Sequence, residues 1–131
     1  MDALGVSDSV IDPEEALKAA FKNGMTVFAL TNHNEVETAI ALSQKHPGKV
    51  LIGEEVSVSM KRNRAFHLLV YFLMYSKEEL VYTERDFERL RETHAKIQRL
   101  RHNFPKLAEF LSTQDVFCSM SHVQWPTALF K

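Results

Sequence analysis

The chain is poor in residues that impose covalent or special backbone constraints. One cysteine, Cys118, excludes an intrachain disulfide and makes a reducing, cytoplasmic location the default. Glycine and proline occur four times each, too few for a linker-like or fibrous chain. No apolar run approaches the ~20 residues that span a bilayer. The opening M-D-A-L-G-V-S-D has neither the basic nor the apolar region of a secretion signal. Lys and Arg (16) nearly balance Asp and Glu (17), and the net charge of -1 gives no global field to draw nucleic acid or an anionic membrane. What remains is a 131-residue chain, 45% hydrophobic and 25% charged, which suits one globular domain.

Three short apolar runs organise it: V-F-A-L-T-N-H-N, K-V-L-I-G-E-E-V-S and A-F-H-L-L-V-Y. Their Val, Ile, Leu and Phe content predicts neighbouring parallel strands buried on both faces. The first is placed at Met25–Leu30, with Thr31–Glu35 as the loop at its carboxyl end. The second covers Lys49–Ile52 and continues extended from Glu54 to Met60. The third covers Phe66–Leu73, and a last strand Val116–Met120. Asp12-Pro13-Glu14-Glu15 predicts a capped helix start that Gly24 ends. A second helix is expected at about 35–45. A long charged helix over about 83–102 carries a thin stripe of Phe87, Leu90, His94 and Ile97, and a short helix follows Pro105. Ser76-Lys77-Glu78-Glu79 reads as a further capping signature.

Each of the first three runs carries a polar residue: His33, Glu55 and His67. Such groups are costly in apolar surroundings unless something pairs with them. Two imidazoles and a carboxylate aimed at a common end suit a divalent metal. Blander readings stand beside this one: His33 as a hydrogen-bonded turn residue, Glu55 paired with a Lys or Arg, and His67 as a satisfied core histidine. His46, His94 and His102 read as surface residues. Lys61, Arg62 and Arg64 read as a solvated turn, with phosphate binding as the alternative.

The same motifs carry a resemblance. T-N-H-N resembles the T-D-H-D motif of the PHP (polymerase and histidinol phosphatase) family, and G-E-E-V-S resembles its G-V-E-I-S motif. H-L-L-V-Y resembles its next histidine motif, and F-C-S-M-S-H-V-Q-W-P its strand ending in S-H-P or A-H-P. The resemblance implies an α/β fold, a partial and distorted βα barrel of mostly parallel strands. Residues 1–131 would form a single incomplete domain, because the H-x-H strand expected ahead of the first helix and the C-terminal D-x-H pair are missing. It implies metal-dependent phosphoester hydrolysis, with His33, Glu55, His67 and His122 as ligands to Zn, Mn or Fe. No catalytic residue is assigned. Asn32 and Asn34 stand where the family has Asp, and Val123 where it has Pro, so weak or absent activity of this chain alone is expected. The alternative is a non-catalytic remnant acting as a binding or assembly module. Expected partners are a phosphoester substrate, no nucleic acid, no membrane, and a second copy of the chain through open sheet edges.

Overall fold

The computed structural model describes residues 12–62, 64–73 and 80–120. In chain order these form α1 (Pro13–Lys22), β1 (Phe28–His33), α2 (Glu37–Lys45), β2 (Val50–Met60), β3 (Arg64–Phe72), α3 (Glu84–Leu100), α4 (Phe104–Leu111) and β4 (Val116–Met120). Gly24, at a φ of 95°, ends α1 as expected, but the Asp12 side chain makes no capping bond. Glu14 turns away from the helix end and meets His46 at 2.9 Å and Lys45 at 3.2 Å, tying α1 to the end of α2. The capping box stands instead at α3, where Thr83 and Asp86 bond each other's backbone amides. The signature at 76–79 lies outside the described residues.

A period of two decides the central ribbon. Val50, Ile52, Val56 and Val58 of β2 are buried, whereas the intervening Leu51, Glu55, Ser57 and Ser59 are half-buried. In β3, Phe66, Leu68, Val70 and Phe72 are buried and alternate with half-buried His67, Leu69 and Tyr71. The two strands form an antiparallel hairpin, paired from Gly53↔Tyr71 to Met60↔Arg64, around a turn in which Arg62 has a φ of 64°. β1 runs parallel to β2, from Phe28↔Val50 to His33↔Glu55, after the crossover through α2. β4 runs antiparallel to β3.

The sheet order is β1-β2-β3-β4, with one parallel and two antiparallel pairs. The mostly parallel, partial βα barrel expected from the resemblance is thereby overturned. A parallel connection needs a crossover of a dozen or so residues, and the chain between Met60 and Arg64 is a tight turn. Nor are the strands buried on both faces. A single core joins Val50, Ile52, Val56 and Val58 to Ile40 of α2, Leu90 and Ile97 of α3, Leu107 of α4 and Leu17 of α1. Burying each such side chain contributes about 1.5–3 kcal/mol. Among the described residues the opposite sheet face carries no comparable core. No described helix is long and apolar enough to cross a membrane.

Two details fix the ribbon beside the site. β1 ends opposite Glu55, yet the edge of β2 beyond it is not bare. Asn34 donates its amide to the Glu55 carbonyl (2.8 Å), and its Oδ1 accepts from the Ser57 amide (3.0 Å). Arg101 Nη1 then donates to the Ser57 carbonyl (3.0 Å), and the Arg101 carbonyl accepts from the Ser59 amide (2.9 Å). Gly53 is the second detail. A Cβ there would lie 2.7 Å from the Val70 carbonyl oxygen and 2.9 Å from Thr31 Cγ2. The first of these contacts is backbone and cannot swing aside. Gly53→Ala is expected to cost about 1–3 kcal/mol, in the range of overpacked sites. An unchanged midpoint in chemical denaturation would contradict this account of the close approach.

Candidate functional site

Strand register gathers the sequence-predicted residues on the less covered face. His33 pairs with Glu55 across β1–β2, and Ser57 pairs with His67 across β2–β3. Side chains at 55 and 57 point the same way, so four polar groups from three strands share one patch. His33 Nδ1 lies 3.3 Å from Glu55 Oε1, and His67 Nδ1 lies 3.3 Å from Glu55 Oε2. The two imidazoles meet edge to face, with centroids 5.0 Å apart and planes at 89°. The patch is open to small solutes: the side chains of His33, His67 and Glu55 are 50%, 32% and 24% exposed. His122, the fourth expected ligand, lies outside the described residues.

Residues 31–33, expected in a loop, belong to β1, because parallel pairing with β2 continues to Glu55. The site therefore lies on a sheet face near the carboxyl end of β1, and not in a loop beyond it. Glu55 meets two histidines, His33 and His67, where the blander reading expected a Lys or Arg.

Ser57 is the member that sequence reasoning missed. Its Oγ is 2.6 Å from His33 Nε2. Because a carboxylate only accepts, His33 donates its Nδ1–H to Glu55, and in the neutral ring Nε2 then accepts from the Ser57 hydroxyl. The signal was present: in V-S-V-S the serines alternate with buried valines, which puts Ser57 on the face of Glu55.

The flanking asparagines have separate tasks. Asn34 holds a φ of 55°, a left-handed conformation that asparagine tolerates better than most residues, and from it closes the β2 edge. Asn32 points to the core side and donates from Nδ2 to Glu35 Oε2 at 2.7 Å. Glu35 also accepts from the Thr38 amide at 3.1 Å, inside the first turn of α2. Burial pushes the Glu35 carboxyl upward, but the bonds from Asn32 and Thr38 outweigh it and leave its pKa lowered.

Glu54, the neighbour of Glu55, points the opposite way and is fully buried. Both of its oxygens lie 2.9 Å from His94 Nδ1, and Gln98 Nε2 lies 3.4 Å from Oε1. The bond to Glu54 raises the His94 pKa against the opposing effect of burial. His94 is therefore a core partner and not the surface residue expected. Its place in the stripe of Phe87, Leu90 and Ile97 was the available signal.

The donor set of His33, Glu55 and His67 matches by chemistry what a divalent transition metal takes, two imidazoles and a carboxylate. Among the described residues, however, no group of three or more His, Cys, Asp or Glu is arranged to hold a metal ion. The imidazoles address Glu55 itself, so the arrangement described is a carboxylate flanked by two imidazoles. No protein-family model matches the chain, and neither do any curated proteins or solved structures.

Proposed function

We propose that the patch of His33, Glu55 and His67 binds one divalent cation and serves a phosphoesterase-like domain of the PHP kind, weakly active or inactive as this chain alone. The observation that carries the reading is the convergence of these three side chains from three adjacent strands within ion-pair distance. Zn, Mn and Fe suit the donor set. A metal bound there would lower the pKa of a bound water and polarise a phosphoryl oxygen. The chain's own residues supply the rest. Glu55 offers two carboxylate oxygens, and Ser57 anchors the His33 ring through Nε2 with Nδ1 on the side of Glu55. Asn34 holds the end of β1 against the backbone of Glu55 and Ser57. Cys118 plays no part, since burial pushes its thiol pKa up and away from the reactive thiolate. Its lone thiol agrees with a reducing, cytoplasmic setting.

A second reading, a non-catalytic binding or assembly module, is favoured by one observation. Glu55 already lies between two imidazoles, so the cluster stands without a metal.

Titration of metal-depleted protein with Zn²⁺ or Mn²⁺ by calorimetry separates the two. The first reading expects one ion per chain, lost in Glu55→Gln. It also expects an affinity lowered about 10–100-fold in Ser57→Ala, the usual effect of removing a group that orients a ligand. Binding that both variants leave intact would sink it and leave the module. Metal-dependent turnover of a generic phosphoester that vanishes in His33→Ala would show the chain to be more active than proposed.

A further inference from the structure

A cluster of lysine and arginine side chains without described carboxylate partners lies away from this patch, at the tip of the β2–β3 hairpin. There a groove of about 600 Å³ separates the turn from the junction of α3 and α4. That volume falls within the roughly 300–1,000 Å³ typical of small-molecule sites. Lys61, Arg62, Arg64 and His102 line it, and among the described residues no carboxylate does. In a chain of net charge -1 this is a local concentration of positive charge. The ion pairs among the described residues lie elsewhere, at Glu14, Glu37, Glu54 and Glu55, and engage none of these four. Met60 and Phe104 add apolar surface to the same groove.

Its two walls come from distant parts of the chain and are fixed to each other. The Ser59 amide donates to the Arg101 carbonyl, and the Phe66 and Phe104 rings meet edge to face at 5.1 Å. Asn103 Oδ1 accepts from the Lys106 amide, which sets the start of α4 at the groove's edge. The positive end of that helix adds to the field of the side chains. At about 3.3 Å per residue, the groove stands roughly 10–17 Å along the ribbon from Glu55 and His67.

We infer that this groove binds a small phosphorylated molecule, its phosphate held by Lys61, Arg62 and Arg64 and its apolar portion lying on Met60 and Phe104. The guanidinium groups match phosphate oxygens in fork geometry, and lysine adds a point charge. The inference does not rest on the metal reading.

Calorimetric titration of the full chain with inorganic pyrophosphate and with adenosine monophosphate tests it, in metal-depleted buffer so that the other patch cannot hold the probe through a cation. Saturable binding is expected, tighter for adenosine monophosphate than its single phosphate alone would give relative to pyrophosphate, and weakened by added salt. The Arg62→Glu/Arg64→Glu double variant is expected to lose at least tenfold in affinity with an unchanged thermal midpoint, since both side chains are exposed. Lys61→Ala should lose less, and His33→Ala nothing. Absence of saturable binding, full affinity in the double variant, or loss in His33→Ala alone would each overturn the inference. So would a single-stranded oligonucleotide bound at this groove in place of the mononucleotide.

Discussion

His94→Ala is expected to lower the unfolding free energy by about 3–5 kcal/mol, because it strips the principal partner from a fully buried carboxylate. Glu54 is 0% exposed and would retain only the long contact from Gln98. The effect differs from cavity formation in one measurable way. Replacing both members of the pair, as in Glu54→Leu/His94→Leu, should restore much of the loss, since no charge is then left buried. A double-mutant cycle in urea separates the two accounts, and a His94→Ala variant within about 1 kcal/mol of the parent would contradict the charge argument. The pair also predicts a pH dependence. Its bond to Glu54 raises the folded-state pKa of His94 above the ordinary 6.5. The stabilisation is therefore complete below that ordinary value and fades as pH rises through the raised one. Stability measured between about pH 6 and pH 9 should fall with this component in the parent and lack it in His94→Gln.

Tyr82→Phe is the second large effect. Register would pair Ile52 with Phe72 at the end of the β2–β3 ribbon, but the ladder stops at Gly53↔Tyr71. The Tyr82 hydroxyl fills the gap: it accepts from the Ile52 amide at 3.1 Å and donates to the Phe72 carbonyl at 2.8 Å. Burial pushes its phenol pKa up to about 12, so it remains a neutral donor throughout the working range. Removing one oxygen leaves two buried backbone groups without this partner, at about 1–3 kcal/mol each. The ring still stacks on Phe87, with centroids 5.9 Å apart, so packing is largely retained. Amide exchange should accelerate at Ile52 more than at Val56 in the variant. Equal protection at Ile52 in both proteins would argue that the backbone closes the gap unaided.

The helices and strands were legible from pattern and punctuation: Pro13 and Gly24 bound α1, and the spacing of Phe87, Leu90 and Ile97 marks α3. Strand direction was misread, although the evidence was local. A turn from Lys61 to Arg64 is too short for a parallel crossover, and V-S-V-S already shows a strand covered on one side. Both signals oppose the parallel arrangement that the resemblance to a barrel family implies. At the site, the alternation of Glu54 and Glu55 required one carboxylate to face inward, but which one depends on register with β1. Only the packing of α3 reveals that His94 answers Glu54. The pairing of Ser57 with His33 likewise needs two strands brought together, and His122 lies outside the described residues.

The split of the patch across three strands has a bearing on chain entropy. His33 stands 22 residues from Glu55 and 24 from Ser57, while the hairpin brings Glu55 and His67 together over roughly half that length. Each doubling of a flexible loop adds only about 0.6 kcal/mol to the cost of closing it. Recruiting the histidine of β1 is thus little harder than closing the ribbon, so far as loop length is concerned. Register matters far more: a slip of one residue in β1 would carry His33 to the opposite face, beside Glu54 and the core. The bonds from the Asn34 amide to the Glu55 carbonyl and from the Ser57 amide to Asn34 Oδ1 lock the strand against that slip.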